Sequence, residues 1–162
     1  MHSELILRHG TPDDVPQMLE LVRELAIYEH AEHEVKTSVA QMLEDGFGQH
    51  PVYGSLVAEA DGLIVGIAIY YFRYSTWKGK RLWMEDLIVT QSHRGRGIGK
   101  KLFFRVMEES IAQQCTGMMW QVLDWNKPSI EFYEHHQARL DGEWINCHLE
   151  QDQIYRLLGV SE

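Results

Sequence analysis

Glu85 and Asp86 stand side by side in the run WMEDLIV, two carboxylates inside an otherwise apolar segment. Acids in such a place are costly to bury unless they are paired or used. In a regular strand, neighbours point to opposite faces. A protonated amine is a ligand that such acids suit, and an aliphatic amine, of pKa about 10.4, must lose its proton before it can attack. Shortly afterwards HRGRGIGKKLFFRV places Arg94, Gly95, Arg96, Gly97, Ile98, Gly99 and Lys100 between a strand-like and a helix-like pattern. A glycine turn that opens a helix aims unpaired N–H groups outward and favours an anion. Five of the 15 basic residues lie between Arg94 and Arg105, in a chain of net charge −9, so positive charge is concentrated where an anion needs it. A P-loop fails on spacing, because Arg94 occupies the place of its first glycine and Lys101 that of its Ser/Thr. A dinucleotide turn fails because Lys100 stands at its third glycine. The spacing present is R-x-x-G-x-G. Farther on, NKPSIEFY sets out Asn126, Ser129 and Tyr133, the last two one helical turn apart and on one face.

The elements that must position these groups follow from periodicity and punctuation. LILRHG (Leu5–Gly10) reads as a short strand. The next segment opens on Thr11 as N-cap and Pro12, and runs as a helix with Val15, Met18, Leu19, Val22, Leu25 and Ala26 on one face. Pro16 pushes the true start a residue or two later. Ser38 and Gln41 have capping-box spacing for a second short helix ended by Gly46. VYGSLVAEA and LIVGIAIYYFRY flank Asp61-Gly62, a hairpin signal. RLWMEDLIV is a third strand, followed by a helix to about Gln114. GMMWQVLDW is a strand, KPSIEFYEHH a helix and WINCHLE a last strand. The order is β-α-α-β-β-β-α-β-α-β, an α/β (α+β) arrangement around one sheet, too irregular for repeated βαβ units. With no repeat or linker, residues 1–162 read as one domain.

Composition excludes several function classes. The acidic balance argues against a nucleic-acid partner. No apolar run reaches the roughly 18 residues of a membrane span, and the N-terminal apolar stretch is too short for a signal peptide. Cys115 and Cys147 form no CxxC pattern, so neither a disulfide framework nor a zinc site is expected and the thiols suit a cytoplasmic protein. His30 and His33, with Glu29, have a spacing that metals use, but nine histidines on an acidic chain account for the pair and no metal is expected.

Taken together, the R-x-x-G-x-G turn after a strand and the N-x-x-S-x-x-x-Y pattern downstream resemble the GNAT N-acetyltransferases. That resemblance implies one domain with a mixed, mostly antiparallel central sheet flanked by helices. It also implies acetyl-coenzyme A as co-substrate. Arg94 to Lys100 would hold its pyrophosphate, main-chain groups of Leu87, Ile88 and Val89 its thioester carbonyl, and Asn126 and Ser129 its pantetheine side. Tyr133 would be the general acid. A phenol of pKa about 10 can protonate a departing thiolate of pKa about 8.5.

ELAIYEHAE, LEDGFGQHPVY, IYYFRYSTWKGK and VLDWNKPSIEFY are similar, more narrowly, to the diamine acetyltransferases, the spermidine/spermine and thialysine N-acetyltransferase group. The likeness covers most of the chain. It implies a small primary amine held by Tyr28, Glu29, Glu85, Asp86 and Glu143, with Glu85 taking the amine's proton through water, and a homodimer. Ser75 stands near where polyamine-acetylating members carry an acid, which places STWKGK nearer the thialysine members. Gln137 replaces a glycine common after the tyrosine helix. Acetylation of a protein lysine or N-terminus, and a non-catalytic coenzyme A-binding module, are the other readings.

Overall fold

The computed structural model describes residues 4–160, in two compact units, Met1–Gln121 and Val122–Glu162. The first unit carries a five-stranded sheet in the order β1-β2-β3-β4-β5. Its strands are β1 (Leu5–His9), β2 (Gly54–Ala60), β3 (Leu63–Ser75), β4 (Gly79–Val89) and β5 (Met118–Met119). The first four pair antiparallel and β4–β5 is parallel, as a mixed, mostly antiparallel sheet requires. Asp61 and Gly62 turn the β2–β3 hairpin with φ of 53° and 76°, the doubly left-handed pair that matches strand twist.

Helix α1 (Val15–Tyr28) begins after a 3₁₀ turn at Pro12–Asp14, and Pro16 falls within its first two positions, where its missing N–H costs nothing. Arg8 anchors that start. Its guanidinium reaches Asp14 at 2.6 and 2.9 Å and Glu59 at 2.7 Å. Helix α2 (Val39–Phe47) is capped by the Ser38 hydroxyl, which accepts from the Gln41 amide at 3.1 Å. It runs past Gly46, the expected terminator, to a cap at Gly48. Gly46 stays helical because Tyr53 packs across it, and its hydroxyl donates to the Met42 carbonyl at 2.8 Å. Val15, Met18, Leu19, Val57, Ile67, Ile69 and Ile88 form the core between α1 and one sheet face. Helix α3 (Ile98–Ala112) buries Leu102, Phe103 and Val106.

The second unit contains α4 (Lys127–His135) and α5 (Gln151–Leu158). Two expectations fail near this end. The strand read across GMMWQVLDW is only Met118–Met119, because Asn126 turns back to cap α4 and its amide donates to the Leu123 carbonyl. The last strand expected at WINCHLE is absent among the described residues, and α5 follows it. A lone extended segment has no ladder to satisfy its backbone. Glu150 and Gln153 instead close a capping box that starts α5, which ends on Gly159 at φ 67°. Gln137 holds φ 64°, so a residue with a Cβ adopts the left-handed turn a glycine favours.

Candidate functional site

Register explains how the two acids meet. Ile69 pairs with Asp86 and Tyr70 with Met84, so Glu85 is an extra residue, a bulge in β4. In regular pleat Glu85 and Asp86 would diverge. The bulge instead lets both line one open cleft of about 420 Å³, together with Glu29, Glu34, Lys36 and the apolar wall of Val22, Leu25 and Ala26. The expectation of opposite faces is thereby corrected, since the strand is not regular where they sit.

The cleft is acidic, and two of its carboxylates, Asp86 and Glu29, are short of solvent. Asp86 is pushed up to about 7, first by desolvation and then by the neighbouring charges of Glu85 and Glu29. Burial also raises Glu29, the residue that follows α1. Glu85 is more exposed, and its carboxylate accepts the indole N–H of Trp83 at 2.8 Å. Burial, then Glu85, raises the Tyr71 phenol. A crowded set of carboxylates of this kind favours a cation, which replaces the lost hydration and relieves the repulsion.

At the other end of β4, Leu87, Ile88 and Val89 pair with Ala68, Ile67 and Gly66. On the opposite edge β5 pairs only with Leu82 and Trp83 among the described residues. The β4 edge is thus open beyond Trp83. Gly95 and Gly97 hold φ of 75° and 76°, and a methyl added at either meets nothing within 4 Å. Conformation demands these glycines, and the space beside them is clear. Gly97 is the N-cap of α3 and offers no side-chain cap, so the first-turn amides point outward without one. Arg96 leans back on the Ser92 carbonyl at 3.2 Å, and the Lys100 ammonium lies 5.6 Å from the Phe104 ring. Amides at a helix start, clear space and nearby cations fit a pyrophosphate.

Arg94 is held differently. Its Nε donates to the Val89 carbonyl at 2.8 Å, its guanidinium sits 5.4 Å over the Tyr28 ring, and Glu24 is 3.5 Å away. Glu24 also accepts from the Thr90 hydroxyl at 2.9 Å and the Gln91 amide at 2.8 Å. Sequence reading missed Glu24. Its only signal is a position one turn before Tyr28, which any helix glutamate can have. Trp83 and Tyr71 were missed too, because they read as ordinary strand aromatics.

The first unit therefore brings Glu29, Glu85 and Asp86 into one cleft, and Tyr28 onto Arg94. The remaining residues belong to the second unit. Asn126 caps α4, its side chain accepting from the Ser129 amide at 3.4 Å. Ser129 and Tyr133 lie one turn apart on α4, and Tyr133 is buried with its ring 5.4 Å from that of Phe132. Glu143 is exposed between α4 and α5, its amide donating to Asp141.

The sheet order and helices are those of an N-acetyltransferase. An aminoglycoside N-acetyltransferase solved in complex with CoA superposes with a TM-score of 0.72 at 19% identity, covering 93% of this chain and 97% of that one. The chain belongs to the Acetyltransferase (GNAT) family, whose profile matches residues 15–137. A thialysine N-epsilon-acetyltransferase of Mus musculus is 35% identical over 164 residues, 94% of this chain and 96% of the relative. Spermidine/spermine N(1)-acetyltransferase-like protein 1 of Homo sapiens is 39% identical over 134 residues, 78% of this chain but 19% of that longer protein. GNAT-fold acetyltransferases use acetyl-CoA.

Proposed function

We propose that the chain, as one domain over residues 1–162, transfers acetyl from acetyl-CoA to a small primary amine by direct attack. The observation that carries this reading is the bulge that turns Glu85 and Asp86 into one acidic cleft with Glu29. A short acidic cleft suits a small cation better than a protein segment, which favours this reading over acetylation of a protein lysine or N-terminus. The relatives of thialysine and spermidine/spermine type support the same substrate class.

When bound, acetyl-CoA supplies an acetyl group activated as a thioester. In this reading the Gly95–Lys100 turn and the α3 amides hold its pyrophosphate, with Arg94 bracing the turn, and Asn126 and Ser129 hold its pantetheine. Main-chain N–H groups of Leu87 and Val89, which face away from β3 while that of the intervening Ile88 points into the ladder, donate to the carbonyl oxygen as negative charge develops there. Tyr28, Glu29, Asp86 and Glu143 contact the amine. Glu85 takes the amine's proton through water, and Asp86, with its proton affinity matched to neutral pH, shares that load. Tyr133 gives its proton to the departing thiolate.

A thiol-release assay with acetyl-CoA against spermidine, spermine, putrescine, thialysine, lysine and short peptides tests the reading. Turnover confined to peptides would sink it. Tyr133→Phe should lower kcat by about 100-fold and leave acetyl-CoA binding intact; unchanged turnover removes Tyr133 from the acid role. A homodimer in the cytosol completes the proposal. Trp144, Ile145 and Leu149 expose apolar surface that a second copy can cover, and Cys115 and Cys147 are both free thiols, the state a reducing compartment maintains. Sedimentation at the monomer mass would overturn the dimer.

A further inference from the structure

The cleft does not end at Glu85. Ile67 and Ile69 pack into the α1-side core, and strand alternation puts Tyr71 and Arg73 on that same sheet face. Across the β3–β4 ladder, Trp83 stands opposite Tyr71, with ring centroids 6.3 Å apart. The indole joins two opposite charges: its N–H donates to Glu85 at 2.8 Å, and the Arg73 guanidinium lies 5.3 Å from the ring centroid. One face therefore runs from two carboxylates, across an aromatic surface, to a guanidinium.

The cations around Arg73 are already occupied. Arg81, directly opposite it in register, aims its guanidinium at the carbonyls of Thr116 and Met118, each at 3.3 Å. Lys80 donates to the Gln113 carbonyl at 2.9 Å and lies over Phe72. Arg73 has no carboxylate within ion-pair distance among the described residues, and it faces a like charge across the ladder, an arrangement that a bound anion relieves. A guanidinium stacked on an indole keeps its N–H edge free for a bidentate carboxylate.

We propose that Arg73 is a specificity-determining residue that binds the carboxylate of an amino-acid-like substrate, whose distal ammonium lies against Glu85 and Asp86. This rests on the small-amine reading and sharpens it. The indole lies between the two charged ends, in contact with Glu85 on one side and Arg73 on the other, and so offers an apolar surface to the flexible four-carbon stem of a lysine-type side chain. A diamine or polyamine would instead bring a second ammonium towards Arg73 and be repelled.

The test compares lysine and thialysine with their decarboxylated diamines, which carry the same primary amine without the carboxylate. The wild-type enzyme should favour the amino acid over its diamine by about tenfold or more in kcat/KM. Arg73→Ala should erase that preference through the KM of the amino acid, leaving kcat and the KM for acetyl-CoA unchanged, and Arg73→Lys should recover part of it. Arg73→Glu should turn the preference towards the diamine. Since Arg73 is exposed, these variants should fold, and thermal melts together with an unchanged acetyl-CoA KM verify that. A wild-type preference for the diamine, or a ratio that Arg73→Ala leaves unmoved while both amines are acetylated, overturns the role of Arg73 alone. Failure of the wild type to acetylate any primary amine overturns the small-amine reading and this inference with it.

Discussion

The two ends of β4 solve opposite problems by opposite means. At the Glu85–Asp86 end, side chains from α1 and from the strand converge on an acidic cleft, and the protein bears the cost of desolvating them. At the Val89 end, the binding groups are mainly backbone amides, presented by two left-handed glycines, and the surface beside them is clear. One site depends on tertiary packing and the other on local conformation. Substitutions should therefore separate them. The largest separation is expected from Glu85→Gln combined with Asp86→Asn. Loss of both carboxylates should lower kcat/KM for the amine by at least about 100-fold, while the KM for acetyl-CoA stays within about threefold. Steady-state kinetics with each substrate varied in turn checks this, and parallel losses for both substrates would break the comparison.

Desolvation also gives the acidic end a pH signature. Asp86 holds its proton to about pH 7 in the folded chain but only to about 3.9 when unfolded. Between those values the native state binds the extra proton, so its contribution to stability falls as pH rises from about 4 to 7 and stays low above that. Asp86→Asn should remove this slope and stabilise the protein at pH 8 by on the order of 2 kcal/mol. Asp14 provides the opposite sign within the same fold. The Arg8 guanidinium lowers it to about 2, so its contribution is full above about pH 3.9 and is lost as pH falls towards 2. Thermal melts from pH 2 to 8 resolve both limbs. A wild-type melting profile without the decline between pH 4 and 7 would mean that the cleft is better hydrated than its geometry implies.

The same contrast explains which features the sequence revealed. The glycine turn was legible because its demands are local: spacing, left-handed backbone and a following helix leave direct marks in residue order. The β2–β3 hairpin was legible at Asp61-Gly62 for the same reason. The bulge at Glu85 was not, because it exists only as a mismatch in count between two strands, and no property of WMEDLIV records it. Glu24, Trp83 and Arg73 owe their roles to partners 66, 2 and 10 positions away, two of them across the sheet or onto a helix. The strand read at WINCHLE failed for a related reason. Its alternating side chains look like a strand, but a strand needs a neighbour, and the capping box at Glu150 and Gln153 is the stronger local instruction.

A smaller effect probes the local end. Gly97→Ala keeps the space clear but forces a Cβ into a left-handed backbone, at a cost of about 1–2 kcal/mol. The KM for acetyl-CoA should rise about tenfold as the turn relaxes, while the KM for the amine at saturating acetyl-CoA should not move. A shift of the amine KM instead would mean that the turn shapes the cleft.

The smallest expected effect sharpens the comparison most, because it falls on α1, a helix that touches both ends. Glu24 ties α1 to the glycine turn through Thr90, Gln91 and Arg94, and one turn later α1 delivers Tyr28 beneath the Arg94 guanidinium and Glu29 to the cleft. Glu24→Gln retains one acceptor oxygen and loses the ion pair, which is exposed enough to be worth less than about 1 kcal/mol. If α1 serves the two sites independently, the KM for acetyl-CoA should rise about threefold and amine kcat/KM at saturating acetyl-CoA should hold constant. A matching fall in amine kcat/KM would show that Glu24 positions Tyr28 and Glu29 as well, so that filling one end of β4 sets the geometry of the other. A double variant with Tyr28→Phe separates these cases, since that change keeps the ring over Arg94 and removes only the hydroxyl. Additive effects on amine kcat/KM would keep the sites independent, and a non-additive pair would place their coupling in the last turn of α1.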